Sequence, residues 1–73
     1  VGMALVAVFN ELADDVILEI DNETWEIPAN GSIVFEKKAG TYNFVVRYKE
    51  GGQLAAEGSK EWGVSSYKWT ISD

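Results

Sequence analysis

Apolar and polar residues alternate with a period of two along almost the whole chain, the pattern of strands that bury one face. Val16, Leu18 and Ile20 alternate with Ile17, Glu19 and Asp21, and Trp25 and Ile27 alternate with Thr24 and Glu26. The longest run sets Tyr42, Phe44, Val46 and Tyr48 against Asn43, Val45, Arg47 and Lys49. Near the end, Tyr67, Trp69 and Ile71 alternate with Lys68, Thr70 and Ser72. β-Branched and aromatic side chains dominate these runs, as a pleated, half-buried surface favours. Turn residues separate them. Asp21-Asn22-Glu23 suits a tight hairpin, Pro28-Ala29-Asn30-Gly31 stops a strand, and Ala39-Gly40 and Gly51-Gly52 mark two further reversals. The pattern predicts seven strands, over 3–9, 15–21, 24–28, 32–37, 41–49, 53–60 and 65–72. Seven short antiparallel strands close best as two packed layers.

Two segments read less simply. Asn10 to Asp15 suits either one helical turn or a loop. Leu54, Ala55, Ala56 and Glu57 are fair helix formers, but Gly58 and the preceding Gly51-Gly52 argue against a long helix. A strand with Leu54, Ala56 and Gly58 on its inner face is preferred there, with a short helix as the alternative.

Composition narrows what such a fold can do. At 73 residues there is room for one domain. A chain of this size buries only about 60% of the surface its unfolded form exposes. It has no Cys and no His, which removes disulfides and the usual zinc ligands as staples. Large apolar side chains must hold it instead, and 47% of the residues are hydrophobic, among them 3 Trp, 3 Tyr and 3 Phe. The 12 acidic residues outnumber the 6 basic ones, for a net charge of −6, which disfavours nucleic acid and anionic lipid as partners. No apolar run reaches the ~18 residues of a membrane span, and Met3 to Phe9 lacks a signal-peptide charge pattern before it. The leading Val1-Gly2 reads as an expression remnant or as the cut end of a longer chain.

The centre of the chain carries a resemblance. Val16-Ile17-Leu18-Glu19-Ile20-Asp21 is followed by Trp25-Glu26-Ile27-Pro28-Ala29-Asn30-Gly31-Ser32-Ile33-Val34-Phe35, then by Ala39-Gly40-Thr41-Tyr42-Asn43-Phe44-Val45-Val46. The order of a short hairpin, a hydrophobic-Pro-x-x-Gly stop, an outer strand and a Gly-Thr-Tyr lead-in to a long strand is similar to small prealbumin-like or PEGA-like β-sandwich modules. The likeness covers about half the chain. It implies a non-catalytic module of a secreted or surface-anchored protein, and it carries over no functional residues. The expected fold is thus an all-β, seven-stranded antiparallel two-layer sandwich, immunoglobulin-like or prealbumin-like.

Without His or Cys the common base, the thiol nucleophile and the Ser-His-Asp arrangement are missing. Asp14, Asp15, Glu19, Asp21, Glu23 and Glu26 could pair as acid and base, but they fall on turns or outer phases, so solvated surface is the better reading. Asp14-Asp15 and Asp21-Asn22-Glu23 offer oxygen ligands for Ca²⁺, yet the strand between them sets them ~20 Å apart. No catalytic, cofactor or metal site is expected. Asn22-Glu23-Thr24 and Asn30-Gly31-Ser32 match the N-glycosylation pattern, but turn chemistry already explains both asparagines.

Contact surfaces are the more informative possibility. Several strands are apolar on the outer phase too: Leu5 and Phe9 if Val6 and Val8 point inward, and also Ile17, Val34 and Val45. Five such residues could form a patch of a few hundred Å². The first strand is apolar on both faces and would expose an edge unless something covered it. The leading expectation is therefore a structural or protein-interaction module that contacts a protein partner or its own copy. The runner-up is a carbohydrate-binding module that uses Trp62 with Tyr48 or Tyr67, since Trp62 has no clear phase while Trp25 and Trp69 read as core. A third reading is a small acidic inhibitor or decoy.

Overall fold

Each of the seven apolar runs becomes a strand. The computed structural model describes residues 2–73 and holds β1 (Met3–Asn10), β2 (Val16–Ile20), β3 (Glu23–Ile27), β4 (Ser32–Lys38), β5 (Gly40–Tyr48), β6 (Leu54–Trp62) and β7 (Ser66–Ile71). No helix forms among the described residues. The segment after Asn10 is an irregular connection, and residues 54–62 form a strand, as preferred from the sequence.

The strands make two sheets, ordered β4-β1-β7 and β3-β2-β5-β6. The four-stranded sheet is antiparallel throughout. In the other, β1 runs antiparallel to β4 but parallel to β7. That pairing corrects the expectation of seven antiparallel strands. A parallel pair needs a long crossover, and here the crossover is nearly the whole chain, so no local turn signal announces it. The edge that the first strand would otherwise expose is covered, because β1 lies between β4 and β7.

One phase of each strand points into the space between the sheets. Ala4, Val6 and Val8 of β1, Val16, Leu18 and Ile20 of β2, and Val46 of β5 have no exposed surface. Aromatic rings join the two sheets across this core. Trp25 of β3 stacks on Phe35 of β4 with centroids 4.6 Å apart. Phe44 of β5 meets Trp69 of β7 edge-on at 4.7 Å. Trp62 of β6 lies 5.8 Å from Phe35 and 6.2 Å from Trp69. Each such ring withdraws roughly 150–250 Å² from water, so a few of them serve where disulfides would serve in other small domains.

The inner phase slips once. Between Val46 and Arg47 the pairing of β5 with β6 jumps from Val46–Ala56 to Arg47–Leu54, which leaves Ala55 as the extra residue of a bulge. Ala56 and Gly58 keep the inward phase expected for them, and a Cβ at Gly58 would stand 3.3 Å from the ring of Phe44. Leu54 does not. It is paired with the exposed Arg47 and is itself 48% exposed, because a bulge shifts every residue beyond it to the other face.

Candidate functional site

The outer face of the three-stranded sheet is built around β1, the strand with neighbours on both sides. Burial of Ala4, Val6 and Val8 turns Met3, Leu5, Ala7 and Phe9 outward, since successive side chains alternate across the sheet. The register sets Val34 of β4, Ala7 and Lys68 of β7 in one row, and Glu36, Leu5 and Ser66 in the next. Leu5 is 43% exposed and Val34 63%. Phe9 is half-buried, and the Nζ of Lys68 stands 5.1 Å from its ring centroid. The result is an apolar stripe along a central strand, edged by lysines, a glutamate and small hydroxyl residues.

The other outer face has a different character. Its rows run Glu19, Val45, Glu57 and Glu26, Ile17, Arg47, Leu54 across the strands. The five residues expected to form one patch are therefore divided. Leu5, Phe9 and Val34 share the face of the three-stranded sheet, while Ile17 and Val45 lie on the four-stranded sheet, with the core between. All five lie on an outer phase, but phase alone does not say which sheet a strand joins. Met3, Ala7 and Lys68 belong to the first face without sequence patterning marking them for it, and Leu54, expected inward, belongs to the second. The unbroken apolar run of the first strand was the available signal for Met3 and Ala7.

The aromatic residues proposed as a stacking platform are not brought together. Trp62 is only 4% exposed and packs on Phe35, Tyr42 and Trp69, so it is core rather than platform. Pairing with Gly40 at the start of β5 sets the inward phase that its own neighbours left undefined. Tyr67 is half-buried, and its hydroxyl accepts the Gly63 N–H at 2.8 Å. Tyr48 is likewise half-buried against the core, where it pairs with the buried Val16, and it lines a shallow depression with Asp14, Asp15, Lys49, Glu50 and Gln53. It stands at the far end of β5 from Trp62, about 25 Å away for a strand of this length.

The six candidate carboxylates are all exposed, and several have structural partners. Asp15 accepts the Ala29 N–H at 2.9 Å, which ties the connection after β1 to the turn after β3. Glu26 pairs with Lys49 at 2.8 Å. Asp21 and Glu23 both pair with Lys37. Among the described residues no three acidic, His or Cys side chains are grouped as metal ligands.

Lys37 is the polar residue that sequence patterning hides. It occupies an inner-phase position on β4, its side chain is only 12% exposed, and its Nζ lies 5.9 Å and 5.5 Å from the ring centroids of Trp25 and Tyr42. The stem runs over the rings and the ammonium emerges at the carboxylates of the β2–β3 hairpin, so one lysine clasps the two sheets together. The hydrogen bond to Glu23, helped by the charges of Glu23 and Asp21, holds its pKa above the ordinary lysine value of 10.5 despite opposing desolvation. A raised folded-state value contributes stability that is complete below the unfolded value and is lost as pH climbs through the folded one. Lys37→Met keeps the stem and removes the charge. Its stability deficit against the native chain is expected to be constant from neutral pH to the lysine range, and to shrink above it. Denaturant melts at neutral and strongly alkaline pH measure this, and a deficit that does not change would contradict the clasp.

The chain matches no protein-family model, and no curated protein shows significant similarity to it.

Proposed function

We propose that this chain is a non-catalytic structural or protein-interaction module, a single seven-stranded β-sandwich that self-associates through the outer face of its three-stranded sheet. The observation that carries the reading is the outward set Met3, Leu5, Ala7 and Phe9 on a central strand. An antiparallel or mixed sheet with one solvated face shows polar residues at such positions; an apolar stripe there favours a face that meets another protein surface. The absence of His and Cys and the exposure of every candidate carboxylate favour binding over catalysis. The strand order argues against the immunoglobulin-like alternative, since immunoglobulin domains keep their first two strands in one sheet and β1 and β2 here belong to different sheets.

The size of the face sets the strength expected. Three strands at ~4.8 Å spacing and eight residues at ~3.3 Å give a face of roughly 370 Å² in projection. Two copies meeting there bury less than the ~1,200 Å² typical of stable complexes, so association should be weak and visible only at high concentration. The double variant Leu5→Glu/Val34→Glu tests this. Both side chains are on the surface, so its unfolding stability should stay within about 1 kcal/mol of the native chain. Its mass by light scattering should remain that of one chain up to millimolar concentration, while that of the native chain rises. Association undiminished in the variant would place the contact elsewhere.

A further inference from the structure

Charge separates the two outer faces as clearly as layering does. The face of the three-stranded sheet carries Lys38 and Lys68 against a single Glu36, a positive balance in a chain whose total is −6. On the four-stranded sheet, Glu19 and Glu57 flank Val45 in one row, and Glu26 stands beside Ile17 in the next. Arg47 is the cation within those rows, and Lys49 joins Glu26 from the end of β5. Each face therefore has a small apolar centre, and the charges around the two centres are opposite in sign. Like faces brought together would oppose two surfaces of the same net sign, which costs binding energy.

We propose that the partner surface for the three-stranded sheet of one copy is the four-stranded sheet of the next. Leu5, Phe9 and Val34 then meet Ile17, Val45 and Leu54, and the lysines face the glutamates. This deepens the self-association reading and rests on it, since it names which surface the apolar stripe meets. A contact between two different patches is heterologous. It leaves one face of each kind free at the ends, so it extends into an open head-to-tail row or closes as a ring, and does not stop at a symmetric dimer. Flat sheet faces stacked in this way continue the face-to-face layering at ~10 Å that already packs the two sheets within one copy. Because lysine–glutamate pairing supplies the discrimination, the row should shorten as salt rises.

Two blocked variants test the pairing by sedimentation velocity. Leu5→Glu/Val34→Glu places acid on the first face, where it would oppose the glutamates of the second. Glu19→Lys/Glu57→Lys reverses the second face without touching its apolar residues, and all four positions are on the surface, so both chains should stay folded by circular dichroism. Each variant alone should sediment as a single chain, with association weakened by at least about a hundredfold. An equimolar mixture should associate where neither variant does alone, since each retains the native face that the other lacks and the two altered faces carry opposite charge. If Glu19→Lys/Glu57→Lys alone still associates like the native chain, the contact is symmetric through the first face; the head-to-tail pairing fails while self-association stands. If the native chain stays single at every concentration, both fail.

Discussion

Trp62→Ala is expected to leave the chain largely unfolded at room temperature. The indole sits in the core among Phe35, Tyr42 and Trp69, with contacts to rings from both sheets. Truncating a buried Trp to Ala typically costs about 3–5 kcal/mol through lost transfer energy and the cavity left behind. A core below ~80 residues rarely supplies more than about that much in total. The milder Trp62→Phe keeps a ring in contact with its neighbours and should remain folded with a lowered melting temperature. Near-ultraviolet circular dichroism with a denaturant melt reads both. The same pair decides against the stacking-platform reading of Trp62, under which Trp62→Ala would stay folded and lose only a ligand.

An equal loss is expected from a substitution that changes almost no volume. Asn10 ends β1 and is the one buried polar residue among those described. Its Nδ2 stands within hydrogen-bonding distance of the carbonyl oxygens of Asp14 at 2.9 Å, Ile27 at 3.1 Å and Pro28 at 3.2 Å. Its Oδ1 accepts the Leu12 N–H at 2.9 Å. One amide therefore ties the end of β1, the connection that follows it and the end of β3, which belongs to the other sheet. Asn10→Asp replaces the donor with an oxygen facing three carbonyls. Buried groups left without partners cost about 1–3 kcal/mol each, and more where one is charged, so a deficit of at least about 3 kcal/mol is expected at neutral pH. Acid should partly repair it, because a protonated carboxyl regains a donor and the surrounding carbonyls favour that form. Urea melts from neutral to mildly acidic pH would show the gap to the native chain narrowing. A gap that is small, or that widens in acid, would show that the amide is not the tie.

These residues also mark where sequence stops being informative. The inner phases of β2, β3, β5 and β7 were readable because each strand keeps its alternation from end to end, and alternation is a local property. The partner of a strand is not. Nothing in Met3 to Phe9 or in Ser66 to Ile71 announces that these distant segments lie parallel, so what covers β1 is not legible locally. The bulge at Val46 and Arg47 depends on how β6 is spaced against β5, so Leu54 looked inward when it is outward. Asn10 and Lys37 looked like ordinary polar residues because their partners come from strands far away in the chain. The apolar outer phase was visible at Leu5, Phe9, Ile17, Val34 and Val45, but its division between two faces had to wait for the sheet order. That division turns one supposed patch into two surfaces of opposite charge.

The most direct test of the proposed interaction face is a dilution series followed by amide and methyl nuclear magnetic resonance. Self-association through the three-stranded sheet predicts concentration-dependent shifts at Leu5, Ala7, Phe9 and Val34, while the inward Val6 and Val8 on the same strand stay fixed. Spectra that do not change from micromolar to millimolar concentration, or changes confined to residues away from that face, would contradict it.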